Sequence, residues 1–174
     1  MSDLNKKPAS FRYLPQMFIM IFAAGLLIFA FSPFIFKDGI QITLSTNQID
    51  ESFHVETEEQ KSLPLNTLLT KERTLIVFWA TWCDPCVEEL NSMPNLLPQI
   101  EHKGIGVVFV NYDGAENLDQ ARAFLGKLGL QSYYDLQGDV LSKLGVSALP
   151  MSILVDKSGK ILKTIVGAVE LAQL

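Results

Sequence analysis

The sequence has little cysteine and histidine, and its acidic residues outnumber its basic ones. The 174 residues include only two cysteines, Cys83 and Cys86, and two histidines, His54 and His102. Structural zinc takes four cysteine or histidine ligands, and these histidines are far from the cysteines in sequence, so no metal and no other cofactor is expected. The net charge of −5 argues against a nucleic-acid partner, because phosphates would repel an acidic surface.

The two cysteines are separated by only two residues, within the segment TLIVFWATWCDPCVEEL, Thr74 to Leu90. A disulfide across so short a loop removes little entropy from the unfolded chain, so it is a poor structural staple. Two alternatives remain: chemistry on the sulfurs, or two inert buried thiols that happen to be neighbours. A C-x-x-C spacing at the end of an apolar strand favours redox chemistry.

Residues 17–36 carry no charge and contain enough apolar residues for a helix to cross the hydrocarbon core of a membrane. A cleaved signal peptide has the same order of basic and then apolar residues. This run is longer than the apolar region of a usual signal peptide, and its nearest small-x-small site, Ala30-Phe31-Ser32, is followed directly by Pro33. The sequence therefore predicts an uncleaved transmembrane anchor.

The charges beside this span predict its orientation. Lys6, Lys7 and Arg12 precede the span, and only Lys37 follows it closely. The excess of Lys and Arg places the N-terminal tail, residues 1–16, in the cytoplasm. The expected location is the bacterial inner (cytoplasmic) membrane, crossed once, with the C-terminal domain on the periplasmic or extracytoplasmic side, where thiols meet oxidants.

The rest of the sequence predicts one α/β domain, residues 53–174, joined to the anchor by a polar linker, residues 37–52. The continuous apolar run Thr74–Ala80 is typical of a central strand buried on both faces. The helix that follows contains Pro94 and Pro98, which are expected to kink or divide it. Further predicted elements are a strand at Gly104–Asp113, a helix at Glu116–Gly129 with a capping-box-like start at Asn117, a short helix at Gly138–Gly145, and two strands joined at Lys157-Ser158-Gly159. The expected fold class is α/β, a mixed central sheet flanked by helices.

The residues around the cysteines resemble the thioredoxin fold, and more narrowly the membrane-anchored thiol-disulfide oxidoreductases of the TlpA/ResA/CcmG type. The resemblance covers about residues 53–167 and implies a thioredoxin-like fold with thiol-disulfide exchange as its activity. It rests on Phe78-Trp79-Ala80-Thr81-Trp82-Cys83-Asp84-Pro85-Cys86, on Glu89, and on Leu149-Pro150 ahead of a strand at Ser152–Asp156.

The two cysteines have different expected roles. Cys83 precedes the helix, where free backbone N–H groups and the positive end of the helix dipole stabilise a thiolate, so it should be the attacking sulfur. Cys86 lies one turn further on and should be more enclosed, so it should resolve the mixed disulfide. The Cys83–Cys86 disulfide is then the product of exchange with a substrate.

Further residues near the cysteines have expected roles, and those of Glu89, Leu149 and Pro150 follow from the family resemblance. Glu89 matches an acidic residue that lies beneath the cysteines in the family and assists proton transfer. The alternative interpretation is that Glu89 is a solvated carboxylate on the helix surface. Trp82 is expected to shield one side of the disulfide, whereas Trp79 should be in the core. Pro150 is expected to be cis and to face the cysteines, so that the backbone of Leu149 can pair with an extended substrate.

Acidic residues surround the cysteines, and they favour one direction of exchange. Asp84, Glu88 and Glu89 all occur in the quoted segment, which has no Lys, Arg or His. Nearby anions disfavour a thiolate on Cys83, which argues for a reductant because strong oxidants stabilise that thiolate. Asp84 and Pro85 are the expected tuning residues, although both also suit the first turn of any helix.

The sequence departs from the family in two places. Many members carry Asp or Asn six residues before the first cysteine, where this chain has Val77, so a buried acid-base role at that position is absent. Only residues 167–174 follow the last predicted strand, where the fold normally adds a longer helix. The terminal helix is therefore expected to be either vestigial or truncated.

The resemblance implies a membrane-anchored dithiol that reduces disulfides in exported proteins, with apocytochrome c as one substrate. It also implies re-reduction by a transmembrane thiol donor of the DsbD/CcdA type. Two alternatives stay open at this point. One is a disulfide oxidase or isomerase on the same fold, which the reduction potential distinguishes. The other is a thioredoxin-like binding or chaperone module whose dithiol is incidental.

Overall fold

The computed structural model describes residues 43–174, in which seven strands form one mixed sheet. Three α-helices and three short 3-10 helices connect or flank these strands. The strands are β1 (His54–Glu56), β2 (Ser62–Pro64), β3 (Arg73–Trp79), β4 (Ile105–Asn111), β5 (Ser132–Tyr134), β6 (Met151–Asp156) and β7 (Ile161–Val166). The α-helices are α1 (Asp84–His102), α2 (Leu118–Lys127) and α3 (Asp139–Leu144), and the 3-10 helices are Leu65–Leu68, Ala115–Asn117 and Leu171–Gln173.

The strand order is β2-β1-β5-β4-β3-β6-β7. Strands β3, β4 and β5 are parallel, whereas β6 and β7 are antiparallel to their neighbours. Strand β3 lies centrally and is buried on both faces, as its apolar run predicts. Leu75, Val77 and Trp79 pack into the core beside α1 and α2, and Ile76 and Phe78 pack into the core beside α3. The predicted α/β fold with a mixed sheet is confirmed.

Helix α1 is continuous, so Pro94 and Pro98 do not divide it. The other expected outcome, a kink at these prolines, stays a prediction. Both prolines are exposed, whereas Leu90, Met93 and Ile100 on the opposite face are buried. The backbone groups that a proline leaves unpaired on the outer face can bond to water, and the packed inner face holds the helix together.

The start of α2 also differs from the prediction. Asn117 precedes the helix, but its side chain makes no capping hydrogen bond. Its amide instead donates to the backbone oxygen of Asp113 at 3.4 Å, and the preceding 3-10 turn leads directly into the helix. The capping-box interpretation was therefore wrong, because the tertiary contact takes the side chain.

Part of the segment expected to be a linker packs on the domain. We call residues 45–49 the strap. Ile49 in the strap is fully buried, and its N–H donates to the oxygen of Gly159 at 2.8 Å. The N–H of Ile161 donates to the oxygen of Asn47 at 2.8 Å. Gly159 has φ +88°, and a Cβ there would collide with the Ile49 oxygen, so the turn between β6 and β7 needs glycine.

The predicted tail and anchor, residues 1–16 and 17–36, lie outside the described residues. Within residues 43–174, no helix is both long enough and apolar enough to cross a membrane. After β7 the chain forms one 3-10 turn, Leu171–Gln173, whose Leu171 oxygen accepts a hydrogen bond from the Lys103 ammonium at 2.8 Å. This turn and the buried Val169 cover the core beside α1.

Candidate active site

The candidate site lies where β3 ends and α1 begins. The backbone turns through residues 80–83, closed by a hydrogen bond of 3.2 Å from the N–H of Cys83 to the oxygen of Ala80. Cys83 is the N-cap of α1, and Pro85 occupies its first turn. Because β3 is parallel to β4 and β5, the loops after all three strands meet at this end of the sheet.

Cys83 and Cys86 are joined by a disulfide with an S–S distance of 2.04 Å. The backbone N–H of Cys86 donates to the Cys83 sulfur at 3.3 Å. Cys83 keeps 5% of its surface exposed, whereas Cys86 has 0%. The Cys86 N–H is a donor that would stabilise a thiolate on Cys83, and the order of attack stays a prediction. Asp84 and Pro85 are both exposed beside it.

The Leu149–Pro150 peptide bond is cis and lies at the same end of the sheet. It directly precedes β6, whose first residue, Met151, pairs with Phe78 near the end of β3. Pro150 is buried, and the partly buried Leu149 packs against the core cluster that contains both cysteines. The structure therefore brings the predicted proline loop and the cysteines to one edge.

The two tryptophans near the cysteines differ in exposure, and the prediction that Trp79 lies in the core is confirmed. Trp82 is 61% exposed, immediately before Cys83. Trp79 is fully buried, and its indole N–H donates to the Ser132 hydroxyl at 3.1 Å. Its ring lies 5.7 Å from the ring of Phe124, centroid to centroid. Trp82 is thus available for contact with a substrate, whereas Trp79 supports the strand behind the site.

Glu89 lies one turn after Cys86 and is only 7% exposed, so the alternative of a solvated surface carboxylate was wrong. Its Oε1 accepts a hydrogen bond of 2.9 Å from the backbone N–H of Val169. Burial raises the pKa of Glu89, and the bond from Val169 opposes this effect only in part. A carboxyl group of this kind can hold or release a proton near the enclosed thiol.

A polar cluster that no sequence motif indicates lies beside the site. Asp113 follows β4 and is 5% exposed. Its carboxylate accepts hydrogen bonds from the backbone N–H of Thr81 at 2.9 Å and from the Thr81 hydroxyl at 3.0 Å. The amide of Asn111 also donates to it, at 2.7 Å. The one sequence feature that could have indicated this cluster is the position of Asp113 just after β4, because β4 is parallel to β3, the strand that leads to the cysteines.

The side chains of the site are suited to thiol-disulfide exchange. In residues 43–174, no group of three His, Cys, Asp or Glu side chains is arranged to hold a metal ion. The acidic side chains nearest the cysteines in sequence are Asp84, Glu88 and Glu89, and only Glu89 is buried. The arrangement provides one accessible sulfur, one enclosed sulfur and one buried carboxyl group.

The fold and this site define a thioredoxin-like protein with a redox-active cysteine pair. The chain belongs to the Redoxin family, whose sequence pattern matches residues 45–173. It is 28% identical over 158 residues to the thiol-disulfide oxidoreductase ResA of Bacillus thuringiensis (strain Al Hakam), which covers 90% of this chain and 88% of the relative. ResA of Bacillus subtilis (strain 168) is 28% identical over 166 residues, covering 94% of this chain and 88% of the relative.

A solved structure is also similar to this chain. The crystal structure of a protein from Chlorobium tepidum, assigned as thiol:disulfide interchange protein DsbE, matches with a TM-score of 0.59 and 26% identity. The match covers 73% of this chain and 87% of that one. The chain is a thiol-disulfide oxidoreductase of the TlpA/ResA/CcmG type, and its dithiol form has the chemistry of a protein-disulfide reductase.

Proposed function

We propose that this protein reduces disulfides in exported proteins on the outer side of the bacterial cytoplasmic membrane. The observation that carries the proposal is the acidic surrounding of the Cys83–Cys86 pair. Asp84 is exposed at the first turn of α1, and Glu89 is buried one turn beyond Cys86. Negative charge disfavours a thiolate on Cys83 and so favours the disulfide over the dithiol. A dithiol that readily becomes a disulfide is a good electron donor.

The reaction proceeds in two exchanges. The Cys83 thiolate attacks one sulfur of the substrate disulfide, forms a mixed disulfide and expels the other substrate sulfur as a thiolate. Cys86 loses its proton, with Glu89 as the acceptor, and its thiolate attacks the Cys83 sulfur. The second substrate thiolate leaves, and the Cys83–Cys86 disulfide forms. The substrate gains two electrons, which the protein loses. The two substrate thiolates take up two protons from water, which receives one proton from the earlier ionisation of Cys83 and one from Glu89.

Three residues at the site edge are proposed to bind the substrate. The exposed ring of Trp82 covers one side of the mixed disulfide. The backbone of Leu149, ahead of the cis peptide bond to Pro150, pairs with an extended substrate segment, as in β-strand addition. Backbone pairing of this kind accepts many sequences, which suits a protein that acts on unfolded exported chains.

The proposed location rests on the sequence of the first 40 residues. Residues 17–36 are the proposed anchor, residues 1–16 the cytoplasmic tail, and the basic residues before the span support this orientation. An outward-facing dithiol needs electrons from inside the cell, so the proposed donor is a transmembrane thiol protein of the DsbD/CcdA type. Apocytochrome c, with its paired cysteines, is the proposed substrate class.

The reduction potential of the full-length protein in detergent tests the direction of the reaction. Equilibration with a dithiothreitol series should give a value nearer that of thioredoxin, about −270 mV, than that of DsbA, about −120 mV. Asp84→Asn should raise the potential, because it removes a charge that disfavours the thiolate. A wild-type value near that of DsbA would support the oxidase alternative instead.

Two further measurements test the location and the role of the dithiol. The full-length protein should stay in the membrane after carbonate washing, with its C-terminal domain open to protease only from outside. A soluble product shortened by about thirty residues would show a cleaved signal peptide.

Cys83→Ser should abolish the reduction of exported disulfides in cells, whereas an unchanged phenotype would favour the binding or chaperone module.

A further inference from the structure

Asp113 lies in a buried cluster that includes no residue of the cysteine pair. We call Asp113, Asn111 and Thr81 the Asp113 clamp. The Thr81 N–H donates to both carboxylate oxygens, at 2.9 and 3.0 Å, and its hydroxyl donates to Oδ1 at 3.0 Å. Asn111, 1% exposed, donates its amide to Oδ2 at 2.7 Å and accepts the Asp113 N–H at 3.1 Å. The carboxylate thus receives donors on both oxygens.

The clamp acts on the turn that carries Cys83. Thr81 lies inside the turn closed by the hydrogen bond from the Cys83 N–H to the Ala80 oxygen. The end of β4 is itself fixed to β3, because the Tyr112 N–H donates to the Trp79 oxygen at 2.9 Å. The turn is therefore held from the neighbouring strand, whereas its own exposed residue, Trp82, offers little support.

We propose that Asp113 is a positioning residue for dithiol exchange: it holds Thr81, and thereby keeps the Cys83 sulfur within bonding reach of Cys86. The inference concerns the equilibrium between the dithiol and the disulfide. It therefore holds whether the protein reduces or oxidises its substrates in the cell.

The physical reason is the cost of bringing two sulfurs together. In the disulfide form the turn must hold one geometry, whereas the dithiol form tolerates movement of Cys83. A clamp that restricts the turn lowers the entropy lost on forming the bond, so it stabilises the disulfide more than the dithiol. Without the clamp, dithiothreitol should reduce the protein more easily, giving the Cys83–Cys86 dithiol and oxidised dithiothreitol in equal amounts.

The experiment compares Asp113→Ala with two changes at Thr81 in the full-length protein. The measured quantity is the equilibrium constant for oxidation of the protein by oxidised dithiothreitol. Asp113→Ala should lower it about tenfold, which is about 30 mV in reduction potential, since hydrogen bonds to a charged group are lost. Thr81→Val removes only the hydroxyl donor and should lower the equilibrium constant by less than tenfold. Thr81→Ser keeps a hydroxyl donor and should leave the equilibrium constant at the wild-type value.

The control variant is Glu116→Gln. Glu116 is exposed, and its carboxylate lies close to Gly114, next to Asp113. This variant removes a nearby charge without touching the clamp, so its equilibrium constant should stay at the wild-type value. Equal shifts in Asp113→Ala and Glu116→Gln would show that loss of a nearby negative charge acts alone and would overturn the positioning role.

A second readout separates positioning from a general role in folding. Urea unfolding of each variant is measured with the disulfide intact and with the cysteines reduced. A purely structural clamp would destabilise both forms equally and leave the equilibrium constant unchanged, which would contradict the proposal. The positioning role requires a greater loss in the disulfide form. If Asp113→Ala does not fold, Thr81→Val carries the same comparison.

Discussion

The backbone N–H of Val169 donates a hydrogen bond of 2.9 Å to Oε1 of Glu89, eighty residues earlier in the chain. Burial raises the pKa of Glu89 above its ordinary value of 4.5. The folded protein therefore keeps this proton to a higher pH than the unfolded chain does. From pH 4.5 upward through the raised pKa, Glu89 should lower the free energy of unfolding as it ionises.

Glu89→Gln should remove this part of the pH dependence, since the amide is isosteric and its oxygen can still accept the Val169 N–H. The measurement is urea denaturation of the oxidised protein across a pH series. As the pH rises from 4.5 through the raised pKa of Glu89, the free energy of unfolding of the variant should increase relative to that of the wild type. Burial also raises the pKa of Asp135 and of Glu56. Both residues are present in the wild type and in the variant, so their effects cancel when the two free energies of unfolding are subtracted. Parallel curves would contradict the prediction.

The two cysteine variants should differ in trapping. Cys86→Ala leaves Cys83 able to attack but removes the sulfur that resolves the mixed disulfide, so complexes with substrates should accumulate. Non-reducing gels should show these complexes, and reduction should release the partners for mass spectrometry. Cys83→Ala should trap few or none, and equal trapping by the two variants would reverse the assignment of roles.

Ser132→Ala should destabilise the domain without affecting the cysteines directly. The Ser132 hydroxyl is the acceptor for the buried Trp79 indole N–H, and its loss leaves that donor unpaired, at a cost of about 1–3 kcal/mol. The midpoint of urea unfolding measures this. Ser92→Ala, at an exposed position on α1, is the matched control and should have little effect.

The strap should contribute to stability although it lies before the first strand. Ile49→Ala removes a fully buried side chain and should cost about 2–5 kcal/mol. Asn47→Ala, an exposed strap position whose backbone bond remains, should change the free energy of unfolding by less than about 0.5 kcal/mol. Equal effects of the two changes would show that the strap is not anchored by Ile49.

Trp82→Ala should weaken substrate binding while the fold stays intact. The ring is 61% exposed, so its removal should change unfolding by less than about 0.5 kcal/mol. Reduction of a protein disulfide by the variant should show a raised KM, because an aromatic surface beside Cys83 is lost. An unchanged KM would remove Trp82 from the binding surface.

The strongest local patterns predicted the centre of the fold. The apolar run that became β3 and the C-x-x-C at the start of α1 are fixed by residues close together in sequence. The hairpin of β1 and β2 and the three-residue strand β5 have no comparable pattern, and β5 was missed. Such short strands are set by their neighbours in the sheet and not by their own residues.

The site was predicted where its contacts are local and missed where they are distant. Cys83, Cys86 and the cis Leu149–Pro150 bond follow from motifs. The hydrogen-bond partner of the buried Glu89 is Val169, in a segment of no regular period near the end of the chain. The Asp113 clamp joins residues 32 positions apart, which no spacing rule connects.

Both edges of the sheet have features that hinder pairing with other chains. At one edge, the strap occupies the start of β7, where the Asn47 oxygen accepts from Ile161 and Gln48 bridges to Lys160. At the other edge, β2 has only three residues and ends in Pro64, which has no N–H to donate. Open strand edges recruit other strands and lead to aggregation. The domain should therefore show little edge-to-edge association at high protein concentration.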